Sequence, residues 1–321
     1  MSSATEPVSY SFRELTAALN ETFPSVDMAV VDDASFTATM RTATVSGIRM
    51  MDVSAGPHVA TRRANILAAD DLRYFCVTLQ LEGVSTVTQD GTESVLGLGD
   101  FAVYDSTRPF ERRFLEQNRC LTMRLPHHMI SLPPHSLTRL TATRIAADEG
   151  LGVVVSPYLR EVARNLSELH GWYGALVAHT MIDLVSAALG EKLAEVSYSV
   201  AGGNTEVFLA ACDYIMRNLA DPALNPEAIA AACFVSVRLL QKIFHEEQTT
   251  VAHWIRTRRL EQSRRQLSDP REVGRSVREI AAIAGFHDGA HFSRLFRTAF
   301  GTSPRDYRRA QLEVIGVDGW A

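Results

Sequence analysis

The sequence predicts an α+β chain. Short strands in the front half form a small β-barrel or sandwich with a helical pair, and the back half is all-α with two helix-turn-helix units. Three observations carry this. Apolar residues alternate through much of 30–125, the period changes to that of an amphipathic helix from Pro157, and 205–312 contains a duplicated helical unit. At 321 residues the chain has room for two domains, and with 46 % apolar and 21 % charged residues it can bury a core in each. That balance excludes disordered, collagen-like and disulfide-scaffold classes.

Reading from the front, the first twenty residues are polar and partly acidic, without the positive and apolar regions of a signal peptide. No apolar run approaches the ~18–20 residues of a membrane span, so no membrane role is expected. Four scattered cysteines (Cys76, Cys120, Cys212, Cys233) form no C-x-x-C pair, which points to a reducing, cytoplasmic compartment. Phe75, Val77, Leu79 and Leu81 alternate with Cys76, Thr78 and Gln80 as a half-buried strand. Gly83 and Gln89-Asp90-Gly91 supply turns around a return strand at 84–88, and Gly97 to Asp100 leads into a strand at 101–104.

From Pro157, Leu159, Val162, Leu166 and Leu169 recur at helical spacing, and a second apolar helix runs from Leu176 to Leu193. The pair covers the sheets, dimerises two chains, or does both. Ser197 to Asn204, with its Gly202-Gly203, reads as a linker. The expected organisation is a front domain over 1–200, linker 201–204, helical domain 205–312 and tail 313–321.

In the helical domain, Ile229-Ala230-Ala231 recurs 51 residues on as Ile280-Ala281-Ala282. Phe244 matches Phe296, and Trp254 matches Tyr307. Each copy has a short Ala-rich helix (Pro226–Cys233, Ser276–Ala284), a tight turn, and a second helix behind a capping residue, Ser236 or Asp288. Small residues let two helices approach as a helix-turn-helix requires. An Ala-rich bundle without a DNA role is the plain alternative, and charge argues against it. The chain carries −5 overall, yet 250–312 has 13 Arg against 6 Asp/Glu, while 1–203 has 16 Arg/Lys against 23 Asp/Glu. Basic character confined to the duplicated half is the distribution expected of a DNA reader. A ligand-binding module without DNA binding is disfavoured on the same ground.

Ser276-Val-Arg-Glu-Ile-Ala-Ala-Ile-Ala-Gly-Phe286, then His291-Phe-Ser-Arg-Leu-Phe-Arg297, then Phe300-Gly-Thr-Ser-Pro-Arg-Asp-Tyr-Arg308 resembles the signature of AraC/XylS-family transcription regulators. The resemblance covers 205–312 closely and 30–200 more loosely, as the family's cupin-like effector-binding domain. It implies a bipartite reader of double-stranded promoter DNA, with two helix-turn-helix units joined by a helix at 251–267. Homodimerisation, a small-molecule effector and RNA polymerase contact are implied with it, as is activation, although the sequence leaves activation and release of repression both open.

Carried over by position, the base-reading candidates are Arg238, Gln241 and Lys242 in the first unit, and Ala290, His291, Ser293 and Arg294 in the second. Arg or Lys suits guanine and Gln adenine. Ser236, Ser276 and Arg297 are candidate backbone contacts. Gln248 stands where the family has Gly. Arg256, Arg258, Arg259, Arg264 and Arg265 on the linking helix touch phosphate or form a solvated face.

No catalytic residue, cofactor or metal is expected. Strands 74–104 hold no histidine, His58 is isolated, and His127-His128 point apart. His287 and His291 have metal-like i, i+4 spacing but fall at the second reading helix. The front half is therefore read as a sensor. Phe75, Val77, Leu79 and Tyr104 are inward candidates for an effector pocket, with Arg62 or Arg73 for an anionic group.

Overall fold

In a computed structural model, residues 6–22, 26–30, 36–63, 74–200 and 204–315 are described. The chain divides into two compact units, Met1–Leu193 and Ala194–Ala321. The division falls inside a helix that runs on to Val200, ahead of the expected linker, of which 201–203 lie outside the described residues.

The first unit is a sandwich of two antiparallel sheets. One takes β1 (Val8–Tyr10), β3 (Ala38–Val45), β4 (Ile48–Ala55), β11 (Asn118–Pro126), β6 (Tyr74–Glu82), β9 (Phe101–Asp105) and β12 (Arg144–Ile145) in that order. The other takes β2 (Val26–Ala29), β5 (His58–Arg62), β10 (Phe110–Phe114), β7 (Ser85–Gln89) and β8 (Thr92–Leu96). Among the described residues the sheets do not close into a barrel. The β7–β8 hairpin turns on Asp90-Gly91 with φ of 52° and 81°, the left-handed pair that keeps the twist of both strands. Ser46-Gly47 does the same between β3 and β4.

Met51, Val53, Cys76, Val87, Tyr104 and Phe110 meet between the sheets, joined by Leu15 of α1 (Phe12–Thr22). β6 is buried on both faces. Phe75, Val77 and Leu79 lie on the face away from this core, where Phe75 stacks on His127 at 3.9 Å.

Helices follow: α2 (Pro134–Thr138), α3 (Gly152–Arg164) and α4 (Gly171–Val200). α3 starts before Pro157, which sits in its second turn and forgoes one backbone bond. α4 corrects the membrane reading. Over Gly171–Val196 its mean hydropathy is 1.3, long and apolar enough to span a bilayer. Ala178, Met181, Ile182, Val185, Ala188, Leu189 and Leu193 bury one stripe of it, which makes it a core helix.

The second unit comprises α5 (Asn204–Arg217), α6 (Pro226–Ala232), α7 (Val237–Glu246), α8 (Val251–Leu267), α9 (Val277–Ile283), α10 (Gly289–Phe300) and α11 (Pro304–Ile315). Expected residues 313–315 of the tail are helical, and 316–321 lie outside the described residues. Two cores form here. Phe208, Leu240, Phe244 and Trp254 centre the first; Leu267, Ile280, Phe292 and Phe296 centre the second. α8 belongs to both, through Trp254 and Ile255 at one end and Leu260 and Leu267 at the other. One continuous helix therefore links the two cores of this domain by packing.

Candidate nucleic-acid interface and ligand cavity

Each reading helix is placed by a cap on one side and aromatic burial on the other. Ser236 accepts from Leu239 N (3.2 Å) at the start of α7, while Leu240, Ile243 and Phe244 are buried. Arg238, Gln241 and Lys242 occupy the opposite, exposed face, and Lys242 lies 3.7 Å from Glu246. His245 continues that face one turn on. Its spacing from Arg238 and Gln241 was visible, but no motif position singled it out.

In the second unit, Asp288 accepts from Ala290 N (2.8 Å) and His291 N (3.2 Å), and Phe292 and Phe296 are buried. Those two amide bonds hold the Asp288 carboxyl below its ordinary range. Ala290, His291, Arg294 and Arg297 are exposed. Ser293 is half-buried, and its hydroxyl donates back to Gly289 O at 2.8 Å, so it is already engaged. Ser276 caps α9 in a reciprocal box with Glu279, whose carboxylate accepts from Ser276 N at 2.6 Å. His287 precedes α10 and is exposed.

Among the arginines of α8, Arg256 is exposed, while Arg258, Arg259 and Arg264 need a correction. Arg258 is 4 % exposed and lies 4.6 Å over the Trp254 ring; burial draws its pKa down to about 10. Arg264 is equally buried and forms a bidentate pair with Glu261 (2.9 and 2.8 Å), with a third bond to Tyr307 OH at 2.9 Å. Arg259 donates to the carbonyls of Leu219 and Asp221. These side chains pack α8 inside the helical domain; neither a solvated face nor a phosphate-binding run describes them. Arg258 and Arg264 fall on the buried stripe because both faces of α8 are used. Among the described residues of 204–315, exposed arginines without a salt bridge are Arg238, Arg256, Arg278, Arg294, Arg297 and Arg305, of which Arg256 bonds His253 Nδ1 at 3.0 Å. Arg278 and Arg305 had no distinguishing sequence signal.

In the first unit a cavity opens between the sheets. Met51, Val53, Tyr104, Asn118, Cys120 and Thr122 line it from one sheet; Val26, His58, Ala60, Phe110, Arg112 and Phe114 line it from the other, with Leu19 from α1. Of the expected pocket residues, Tyr104 lies here. Phe75, Val77 and Leu79 do not: alternation separates two faces of a strand, but both faces of β6 are buried and the cavity adjoins the other one. Arg62 is buried at the end of β5 without lining the cavity, and Arg73 lies outside the described residues. His58, expected to be isolated, stacks on Phe114 at 4.3 Å and donates from Nδ1 to Gly56 O at 2.8 Å. Burial lowers its pKa, so the ring is neutral near pH 7. Sequence reasoning missed His58 and Arg112, because only the register of β5 against β10 brings them together.

The AraC-binding-like domain family matches residues 16–190, and a helix-turn-helix domain family matches 229–310. The chain belongs to the AraC family. As an AraC-type transcription regulator, it pairs an effector-binding domain of that type with a helix-turn-helix DNA-binding domain. It is similar to the transcriptional activator NphR of Rhodococcus sp, with 30 % identity over 269 residues, 83 % of this chain and 79 % of that one. The arabinose operon regulatory protein of Escherichia coli (strain K12) is 28 % identical over 156 residues, 47 % of this chain and 50 % of that one. Among solved structures, the AraC-like transcriptional activator CuxR aligns with a TM-score of 0.51 at 18 % identity, over 80 % of this chain and 95 % of that chain, a likeness of fold. The family is one of transcription regulators rather than enzymes.

Proposed function

We propose that this AraC-type regulator acts in the cytoplasm as a homodimeric activator, reading promoter DNA with α7 and α10 and answering a small-molecule effector held between the sheets. Residues 1–200 sense and dimerise, and 205–312 read DNA and recruit RNA polymerase. The observation that carries the reading is the paired construction of α7 and α10, each capped at its start, buried through aromatics, and polar on the free face. Arg238, Gln241, Lys242 and Arg294 supply base readout, with His291 and Ala290 beside them, and Ser293 contributes least because its hydroxyl is engaged. Ser236, Ser276 and Arg297 position the backbone. The effector acts through differential affinity for two arrangements of the protein.

A footprint over the DNA flanking the gene, repeated across a salt series, tests this. Two protected major-groove segments per subunit, about one turn (~10 bp) apart, are expected. One protected segment per subunit would remove α10 as a reader. Flat, salt-independent binding would remove the electrostatic contacts altogether.

A further inference from the structure

The charge pattern of the cavity restricts what it can hold. Arg112 is 4 % exposed and is the one formally charged side chain among the described residues that line the cavity. Its guanidinium donates to Thr78 Oγ1 at 2.7 Å and to Ser85 Oγ at 3.3 Å, and its Nε, also buried, has no partner among the described residues. Other guanidiniums of the same unit are treated differently. Arg41 and Arg119 meet Asp52, Arg108 meets Asp90 and Asp105, and Arg144 meets Asp100. Arg112 meets hydroxyls and, at 4.8 Å, the Phe114 ring. These neutral hydroxyls, together with that of Tyr104, which is also bonded to the guanidinium, offset only part of the desolvation of a buried cation.

We propose that the cavity binds a small organic monocarboxylate, its carboxylate against Arg112 and its apolar body among Leu19, Met51 and Phe110. This rests on the reading of the cavity as an effector site and names the class of effector. A single cation balances a single negative charge, so a phosphate or dicarboxylate would bring excess charge into an apolar space. A sugar would leave hydroxyls unpaired against apolar walls. Tyr104 OH, which burial keeps protonated, is a second donor on the opposite sheet. The cavity volume is about 70 Å³. That is about half the ~150 Å³ of an engineered cavity that holds benzene, so a ring or short chain enters as the flexible Met51 side chain moves. Arg112 of β10 already joins the sheets through Thr78 of β6, and a carboxylate there would insert itself into that bridge between Arg112 and Tyr104.

The test uses the purified full chain in thermal unfolding and calorimetric titration at fixed ionic strength. Probes are benzoate, phenylacetate, cyclohexanecarboxylate and hexanoate, the amide of each, inorganic phosphate and chloride. At least one acid is expected to raise Tm in proportion to log concentration and to bind about tenfold or more tighter than its amide. Arg112→Met should leave the Tm of the free protein unchanged or raised and reduce acid binding to the amide level. Arg112→Lys should keep a weakened acid preference, which covers the case of an unfolded Met variant. Ala60→Phe, which fills the space and leaves the cation, should abolish binding of acid and amide alike. Acid and amide binding equally would overturn the carboxylate and leave the effector cavity standing. Phosphate or chloride matching the acids, or a large Tm loss in free Arg112→Met with Arg112→Lys unaffected by acids, would also overturn it. No response to any acid or amide would take the effector reading down with it, while the footprint stands or falls separately.

Discussion

In the second helix-turn-helix unit the tight turn and the end of the reading helix are glycines, Gly285 at φ 86° and Gly301 at φ 74°. In the first unit Phe234 at 55° and Gln248 at 54° take the same left-handed conformation. Both units keep the plan, so the duplicated architecture does not depend on glycine at these places. What does depend on it is space. A Cβ on Gly285 would meet Arg259 Nε at 2.7 Å and Leu219 O at 2.9 Å, whereas Phe234 is 97 % exposed. Gln248, the departure from the family pattern, leaves the turn intact: its N–H donates to His245 O and Thr249 N–H to Phe244 O. The two units also differ on the face they offer. Among the candidate base readers, α7 exposes the long polar side chains of Arg238, Gln241 and Lys242, while α10 exposes Ala290, His291 and Arg294.

The largest effect expected from this comparison comes from the cores. Phe244 packs in a cluster built from α5, α6, α7 and the start of α8; Phe296 packs in a smaller one built around Phe292, Ile280 and Leu267. Phe296→Ala and Phe244→Ala should each cost about 3–5 kcal/mol. Hydrogen exchange should show protection lost through α9 and α10 in the first variant while α6 and α7 stay protected. The reverse pattern is expected for Phe244→Ala. Protection lost equally everywhere in both would show that α8 couples the units into one cooperative body.

Base readout comes next. Arg238→Ala and Arg294→Ala should each cost ~1–3 kcal/mol on the specific site and relax preference at one base pair. Because α7 offers more readers, losing Arg294 should leave a larger share of the specificity intact than losing Arg238. Competition binding against random DNA checks both; a loss equal on specific and random DNA would make either one a phosphate contact.

Much of this second unit was legible because its signals are local. Ser236, Ser276 and Asp288 stand at helix starts, the Ile-Ala-Ala repeat fixes the spacing, and the 251–267 helix has the bounds that the family resemblance implied. What escaped was set by packing. The i, i+3 spacing of Glu261 and Arg264 says nothing of their burial beside Tyr307, and the i, i+4 spacing of Trp254 and Arg258 says nothing of the burial of that cation stack. The cavity was least legible of all. Alternation along β6 marks two faces, and Phe75, Val77 and Leu79 are apolar enough to suggest the inner one. The inner face instead carries Cys76, Thr78 and Gln80, with Thr78 bonded to Arg112. Polar residues line the interior because they serve a buried cation, which no local pattern reports.

The turns allow a smaller test. A non-glycine residue in the left-handed region costs roughly 1 kcal/mol, partly offset by the greater unfolded-state entropy of glycine. Gln248→Gly should therefore stabilise the first unit by a few tenths to about 1 kcal/mol, and Gly301→Gln should destabilise the second by a similar amount. Nothing lies within 4 Å of a Cβ at Gly301, so conformational strain alone is measured there. Chemical denaturation of the paired variants checks the signs. A neutral Gln248→Gly would mean that the side chain makes compensating contacts in the first unit.

The finest expected difference is in acid. Helix starts in the first unit are capped by Asn225, Ser236 and Thr250, none of which titrates. Those of the second use Asp288, the Ser276–Glu279 box, and Asp306 bonded to Ser303. Bonds from Ser276 hold Glu279 below its ordinary 4.5; amides of His291 and Ala290 hold Asp288, and the Ser303 hydroxyl holds Asp306, below 3.8. A carboxyl with a lowered folded pKa contributes stability that is fully present above its unfolded value and lost as pH falls through the folded value. The second unit should accordingly keep its full stability at pH 6 and lose it ahead of the first below about pH 4.5. Amide protection followed from pH 6 to pH 3 should decline earlier in α9 and α10 than in α6 and α7. Asp288→Asn, which keeps a capping oxygen without a titrating carboxyl, should narrow the gap, and an unchanged gap would shift the acid sensitivity to groups other than the caps.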